Sequence, residues 1–139
     1  MKAGVVVVIA TAFATQTAVA HHNFAPHFDP RKPMRISGIV VRYESRNPHA
    51  YLHVEAADET GQRHEYVCAS YGATQLARVG LIPEMLAPGT MVTLTGPQAR
   101  NDPYMCFFNT VEFGDGRVLN VNGPGGVDPA APQAPNVRP

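Results

Sequence analysis

The sequence contains no tryptophan, only two cysteines and no excess of either charge. It has 11 basic and 11 acidic residues in 139, and only Lys2 of the charged residues lies in the first 20 positions. A chain with this balance has no field that would attract nucleic acid or an anionic membrane surface. We therefore predict no nucleic-acid partner.

Recognisable catalytic motifs are also missing from the sequence. It has no glycine-rich phosphate loop and no His-Glu-x-x-His zinc motif. No motif frames a serine or cysteine as a nucleophile beside a histidine. The sequence therefore predicts a protein that is not an enzyme.

One apolar run is present, at the N-terminus. Lys2 precedes an apolar segment over residues 3–14, a more polar stretch over 15–17, and the small-x-small pattern of residues 18–20. A retained membrane anchor is the alternative, but spanning needs about 20 apolar residues. We predict that residues 1–20 are a cleaved signal peptide and that the protein is periplasmic. No second run of spanning length follows, which predicts no membrane span after cleavage.

The remaining 119 residues suffice for one domain with one core. Residues 21–34 contain three prolines and no periodicity, which predicts an extended N-terminal arm. The segment 122–139 is rich in Gly, Pro, Ala and Asn and has too little apolar area to fold. We predict a disordered tail there and a single β domain over 35–121.

Between the ends, β-branched and aromatic runs separated by turn residues predict a mainly β fold. Around a helix with Leu76 and Val79 on one face, the order of elements is β-β-β-α-β-β. This is the order of a small OB-like five-stranded barrel. An open sandwich of the same strands is the alternative. The predicted strands are 35–44, 50–56, 63–69, 91–95 and 105–113, with a helix over 73–79 and a short final strand over 117–119.

Cys68 and Cys106 fall on the third and fifth predicted strands, which are neighbours in an OB barrel. In an oxidising compartment, this predicts a disulfide between them. A metal-thiolate pair is an alternative, although neither has a Cys-x-x-Cys partner. Two buried free thiols are another.

Three short segments carry a family resemblance. They are His21-His22-Asn23-Phe24, followed by Phe28-Asp29-Pro30; Asn47-Pro48-His49-Ala50; and Leu86-Ala87-Pro88-Gly89 before a Val-Thr-Leu-Thr-Gly strand. The chain resembles a family of uncharacterised exported bacterial proteins, a domain of unknown function, over residues 21–119. It departs from that pattern at Asn23, where Ser is usual, and at Tyr51, where Trp is common. The resemblance implies a periplasmic β domain and no established activity.

The histidines near the N-terminus suggest metal binding. Cleavage after Ala20 would make His21 the first residue, whose α-amine and ring nitrogen together chelate a metal. A further imidazole would complete the three-nitrogen site that copper(II) favours in a histidine brace. His22, His27 and His49 are the candidates for that third nitrogen. The alternative is that these histidines are solvated or structural.

An OB-like barrel also predicts a ligand face on its second and third strands, here Tyr51, His53, His64 and Tyr66. His53 and His64 are expected to be surface residues. The sequence thus predicts a non-catalytic periplasmic binding or accessory module whose ligand is a small molecule or a periplasmic protein. The alternative is a copper-binding protein that uses its mature N-terminus; no other cofactor is predicted.

Overall fold

The computed structural model describes residues 26–122. The predicted signal peptide, residues 21–25 of the predicted arm and all but the first residue of the predicted tail lie outside this range. Within it the chain forms seven strands, one α-helix and one 3-10 helix. They are β1 Phe28–Glu44, β2 Tyr51–Ala57, β3 Arg63–Ala69, α1 Ala73–Arg78, the 3-10 helix Pro83–Leu86, β4 Met91–Ala99, β5 Met105–Phe107, β6 Thr110–Phe113 and β7 Val118–Asn120.

The strands close into a barrel. Neighbours follow the order β1-β2-β3-β5-β4, and β4 pairs again with β1. The β3–β5 pair is parallel, whereas the other pairs in this circuit are antiparallel. This is the OB order, so the predicted fold class is confirmed and the open sandwich is excluded.

Strand β1 begins earlier than the sequence suggested. Phe28 pairs with Ala99 and Met34 pairs with Gly96, so residues 28–34, half of the predicted arm, form the first part of β1. The prediction failed because Pro30 and Pro33 suggest a break in a strand. Here the ladder shifts register between Asp29 and Pro33, and this irregularity accommodates prolines that cannot donate a ladder hydrogen bond.

The predicted fifth strand is divided into β5 and β6. Residues 108 and 109 lie between them, and their amides donate to the carbonyls of Ala69 at 2.9 Å and Thr95 at 2.8 Å. The chain thereby moves from a parallel pairing with β3 to an antiparallel pairing with β4. Gly96 lies directly against this crossing, because a Cβ atom there would be 1.8 Å from the carbonyl oxygen of Phe107.

The core occupies the barrel interior and follows the predicted alternation. Its members are mainly aliphatic, and burying one large aliphatic side chain contributes about 1.5–3 kcal/mol to folding. α1 and the 3-10 helix each add one leucine to this cluster. The buried members include Leu52, Val54 and Ala56 of β2, Val92 and Leu94 of β4, Leu76, Leu86 and Phe108.

Candidate functional site

The Cys68–Cys106 disulfide lies at the parallel junction of the barrel. The two residues are register partners on β3 and β5, with Cα atoms 4.5 Å apart, and both are buried. The disulfide prediction is confirmed, and the thiolate and free-thiol alternatives are excluded. The β3–β5 ladder has only three residue pairs, so the covalent bond reinforces a short pairing in the closed circuit.

The Asn47-Pro48-His49-Ala50 segment lies in the β1–β2 loop, and Asn47 joins this loop to the start of α1. The Asn47 side chain accepts a hydrogen bond from the Thr74 amide at 3.3 Å and donates to the Thr74 hydroxyl at 3.1 Å. An Asn side chain thus satisfies an amide at the start of the helix that has no partner within it. Gly72 leaves the room for this contact, because a Cβ there would lie 2.3 Å from Asn47 Oδ1. The Asn47–Pro48 bond is cis.

His49 is held by the backbone after β3. Its Nδ1 lies 3.1 Å from the carbonyl oxygen of Ser70. A carbonyl oxygen can only accept, so Nδ1 donates and a neutral ring carries its lone pair on Nε2. The next residue, Ala50, exchanges backbone hydrogen bonds with Tyr71 and Ser70 at 3.1 and 2.9 Å. The His49 ring is therefore fixed in position and tautomer.

A second apolar group, which we name the outer cluster, lies apart from the main core. Its members are Phe28, Ala69 and Phe107, with Tyr51, Tyr71 and Ala99 packed against them. The Phe107 ring is 5.7 Å from the Phe28 ring and 5.3 Å from the Tyr71 ring. Phe28 thus anchors the start of β1 beside residues that flank Ser70, the partner of His49.

The predicted metal ligands are distributed on both sides of the described boundary. His21 and His22 lie outside residues 26–122. His27 is exposed, and its carbonyl oxygen accepts a hydrogen bond from the Arg100 amide at 2.9 Å. His49 is half-buried. Within residues 26–122, no group of three or more His, Cys, Asp or Glu side chains could by itself hold a metal ion.

The expected exposure of His53 is wrong. His53 is only 5% exposed, and its ring lies between two carboxylates. Nδ1 is 2.6 Å from Glu65 Oε1, and Nε2 is 3.0 Å from Glu44 Oε1. Arg42 also contacts Nδ1 at 3.4 Å. The ring does point away from the core, as the alternation of β2 suggests, but long side chains of β1 and β3 cover it.

The predicted ligand face does not exist as one surface. Tyr66 is directly opposite Val54 and His64 opposite Ala56, which places both on the inward face near a barrel end. Tyr51 and His53 lie on the opposite, outward face. The pairing register separates the four residues, and it could have been worked out from the inward alternation of β2 and β3.

His64 and Tyr66 instead join Tyr104 in what we name the aromatic cluster. Tyr104 belongs to the β4–β5 connection, is 38% exposed and stacks on His64 with ring centroids 4.3 Å apart. Tyr66 meets the Tyr104 ring edge-on at 5.6 Å. His64 is half-buried rather than exposed, and its Nε2 lies 2.9 Å from Asp58 Oδ2.

The Asp58 carboxyl is locked in the β2–β3 turn. Its Oδ1 accepts hydrogen bonds from the Thr60 hydroxyl, the Thr60 amide and the Gln62 amide. The Thr60 hydroxyl bond is the largest cause lowering the pKa of Asp58 to about 2, and the His64 contact adds to it. Asp58 is therefore an ionised anchor for the His64 ring at neutral pH.

Asp29 is a second anchoring carboxylate, which the sequence did not reveal. The Arg31 side chain holds it at 3.1 and 3.2 Å, and Arg100 lies 3.3 Å away. The hydrogen bonds from Arg31 lower the pKa of Asp29 to about 2, with a further contribution from Arg100. Because Arg100 follows β4, this buried carboxylate connects the start of β1 to the end of β4. No sequence pattern signals a pair 71 positions apart.

The model of one protein family matches residues 8–105, which include β1 to β4 and the whole connection to β5. That family is described as a family of unknown function, DUF6152. The chain belongs to DUF6152. Among curated proteins, none matches the sequence. DUF6152 membership thus assigns a family without assigning an activity.

No helix within the described part of this DUF6152 member is long and apolar enough to cross a membrane.

Proposed function

We propose that the chain is an exported, non-catalytic binding module. The observation that carries this proposal is the aromatic cluster, in which an exposed Tyr104 ring stacks on His64 at 4.3 Å. OB barrels bind ligands with strands 2 and 3 and with the connections between strands 1–2 and 4–5. Tyr104 belongs to the second of these connections and His64 to β3. The partner is a small molecule or another periplasmic protein that presents a flat group to Tyr104.

The aromatic cluster is organised before any ligand arrives. The Tyr104 amide donates to Asp102 Oδ1 at 2.8 Å, which fixes the backbone below the ring. His64, in turn, is oriented by Asp58 at 2.9 Å. A tyrosine that is already held in place contributes contact area at a low cost in conformational entropy.

Export is the second part of the proposal. The N-terminal pattern of residues 1–20 supports it, and so does a disulfide buried between β3 and β5, because such bonds persist in oxidising compartments. No serine or cysteine of the sequence lies in a recognised nucleophile motif, which supports a non-catalytic role. Expression of the full chain in a Gram-negative host should give a periplasmic product that begins at His21. Its mass should be lower by two hydrogens than that of the reduced chain.

The binding site is tested with two probes that can pack on a tyrosine ring, the flat indole and a methyl glucopyranoside, each titrated into the ¹⁵N-labelled mature protein. We expect at least one probe to shift amide signals of residues 58–66 and 102–105. The variant Tyr104→Ala should lose these shifts, whereas Tyr51→Ala, on the opposite face of the sheet, should retain them. Shifts outside these segments, or none with either probe, would argue against this site.

Copper(II) binding at the mature N-terminus is the second candidate function. The observation that favours it is the His49 ring, whose Nδ1 bond to a backbone carbonyl is typical of metal-ligating histidines. The test compares copper(II) affinity of the mature protein with that of a version extended by one N-terminal alanine. The extension keeps every side chain and removes only the α-amine of His21 from chelation. Equal affinity would refute the candidate.

A further inference from the structure

We infer that the aromatic cluster is part of a docking surface for an extended, arginine-containing segment of a partner protein. This inference rests on the proposed binding function and narrows its ligand to one class. The partner backbone pairs with an open edge of β3, and a guanidinium group of the partner lies on Tyr104. Three features support it, namely the open edge, the exposed ring and the local charge.

The first half of β3 has a neighbouring strand on one side only. On that side, β2 pairs with β3 along its whole length. On the other side, β5 begins at Met105, opposite Val67, so residues 63–66 extend beyond it. An uncovered sheet edge is a template for an added strand, whose backbone hydrogen bonds supply affinity.

The pairing pattern shows which backbone groups face the open edge. In an antiparallel ladder, residues that bond to the partner strand alternate with residues that point away from it. The Val67 amide points away from β2, because it donates to the Tyr104 carbonyl at 2.9 Å. Arg63 and Glu65 are two and four positions earlier, so their amides and carbonyls face the same way. Among the described residues these four groups have no hydrogen-bond partner.

Tyr104 lies beside this edge, on the side of the sheet to which His64 points. Its exposed ring stacks on the His64 ring with centroids 4.3 Å apart. Alternate side chains of an added strand fall on the same side of the sheet as His64. A planar guanidinium group on such a side chain stacks favourably on a tyrosine ring.

The charge on this side of the sheet selects a basic segment. Asp58, which a pKa of about 2 keeps ionised, lies 2.9 Å from His64, and Asp102 accepts the Tyr104 amide at 2.8 Å. In the described part of the chain, neither carboxylate pairs with a lysine or an arginine. Burial raises the pKa of Tyr66, and the charge of Asp58 adds to the rise, so this charge acts within the aromatic cluster.

The arginines that adjoin these segments are held elsewhere. Arg63 follows the β2–β3 turn, but it pairs with Glu55 on the opposite side of the sheet. Arg100 begins the β4–β5 connection and lies 3.3 Å from Asp29. The negative charge beside Tyr104 is thus left for a partner to match, and complementary charge favours the correct partner. Two copies of this surface would repel each other, which disfavours a second copy of this chain as the occupant.

The test titrates three capped peptides into the ¹⁵N-labelled mature protein. They are acetyl-Thr-Arg-Val-Arg-Thr-amide and the two versions in which Gln or Glu replaces both arginines. The Arg peptide should shift amide signals of residues 58–66 and 102–105. It should bind about 3- to 30-fold more tightly than the Gln peptide, and the Glu peptide should bind most weakly.

Hydrogen exchange tests the edge in the unaltered protein. The amides of Arg63 and Glu65 should exchange rapidly in the free protein and slowly when the Arg peptide is saturating. The amides of His64 and Tyr66, which face β2, should be protected in both states.

Two pairs of variants separate the backbone contribution from the charge contribution. Glu65→Pro removes one edge amide and leaves the β2 ladder intact, since proline is tolerated where the amide faces outward. Glu65→Ala is its matched control, because both variants lose the contact with His53, and the proline should bind the Arg peptide about 2- to 10-fold more weakly. Asp102→Asn keeps an oxygen for the Tyr104 amide, so it should weaken the Arg peptide about 2- to 5-fold and leave the Gln peptide unchanged.

The outcomes distinguish this inference from the binding function on which it rests. If indole or the glucopyranoside shifts the aromatic cluster while no peptide does, the binding function stands and the peptide assignment is wrong. Equal affinity for the Arg and Glu peptides would refute the charge argument. Unchanged exchange of Arg63 and Glu65 in the saturated complex would refute strand addition. If neither the probes nor the peptides shift residues 58–66 and 102–105, the proposed function fails as well.

Discussion

Removing the Cys68–Cys106 cross-link is expected to destabilise the barrel strongly. The bond joins register partners of β3 and β5, the parallel pair that has only three residue pairs. In the unfolded chain, the same bond closes a loop between cysteines 38 positions apart. The chain-entropy model gives a stabilisation of about 4 kcal/mol for a loop of this length. Domains of this size have total stabilities of roughly 5–15 kcal/mol, so the loss would be a large fraction of the whole.

Urea unfolding measures this directly on three samples of mature protein: oxidised, fully reduced, and the double variant Cys68→Ala/Cys106→Ala. Reduction is carried out in the unfolded state, because both sulfurs are buried in the folded one. With a urea slope of about 1–2 kcal/mol per molar, the unfolding midpoint should fall by roughly 2–4 M in both altered samples.

Agreement between the reduced protein and the double variant is the internal control, since they share the loss of the cross-link and differ only in two buried sulfur atoms. A loss below about 1 kcal/mol in the reduced protein would refute the argument, because it lies under the range expected for a native disulfide. It would mean that the unfolded chain gains little freedom when the bond is removed.

Three further perturbations have expected outcomes. Gly96→Ala should destabilise the protein by more than about 3 kcal/mol or prevent folding, because its Cβ would overlap a β5 carbonyl at 1.8 Å. Gly114→Ala is the matched control, with its nearest neighbour atom at an ordinary 3.7 Å. His53→Ala should cost about 1–3 kcal/mol in urea unfolding, since it removes two contacts to partly exposed carboxylates. Arg63→Ala, which breaks only an exposed ion pair, should stay within about 0.5 kcal/mol of the parent. Asp29→Asn concerns acid stability. The pKa of Asp29 is lowered from 3.8 to about 2 on folding, so its contribution is present above pH 4 and is lost between pH 4 and 2. The melting temperature of the parent should therefore fall more steeply across that window than that of the variant, and parallel slopes would contradict the assignment.

The fold could be predicted because its signals are local. The alternation of Leu52, Val54 and Ala56 gave both the existence and the inward face of β2, and Gly80 marked the end of α1 correctly. The disulfide followed from adding one topological rule, that strands 3 and 5 are neighbours in an OB barrel.

The missed features depend on which strands meet. His53 is buried because Glu44 and Glu65 reach it from two neighbouring strands, and no pattern within β2 reveals them. The same holds for Asp29, whose partner Arg100 is brought near by the β1–β4 ladder. Alternation tells whether a side chain points inward, but whether an outward side chain is covered depends on the length of its cross-strand neighbours.

The sharing of β1 between two partners has a practical consequence for any shortened form of this protein. Residues 28–39 pair with β4, whereas residues 39–44 pair with β2. A chain that starts at residue 35 would keep every strand that the sequence pattern predicts. It would lack residues 28–34, so β4 would have no paired strand on its β1 side from Gly96 onward. The exposed backbone would be an unprotected edge open to pairing with another molecule. Such a fragment is expected to self-associate, while one that starts at residue 26 should remain monomeric at the same concentration.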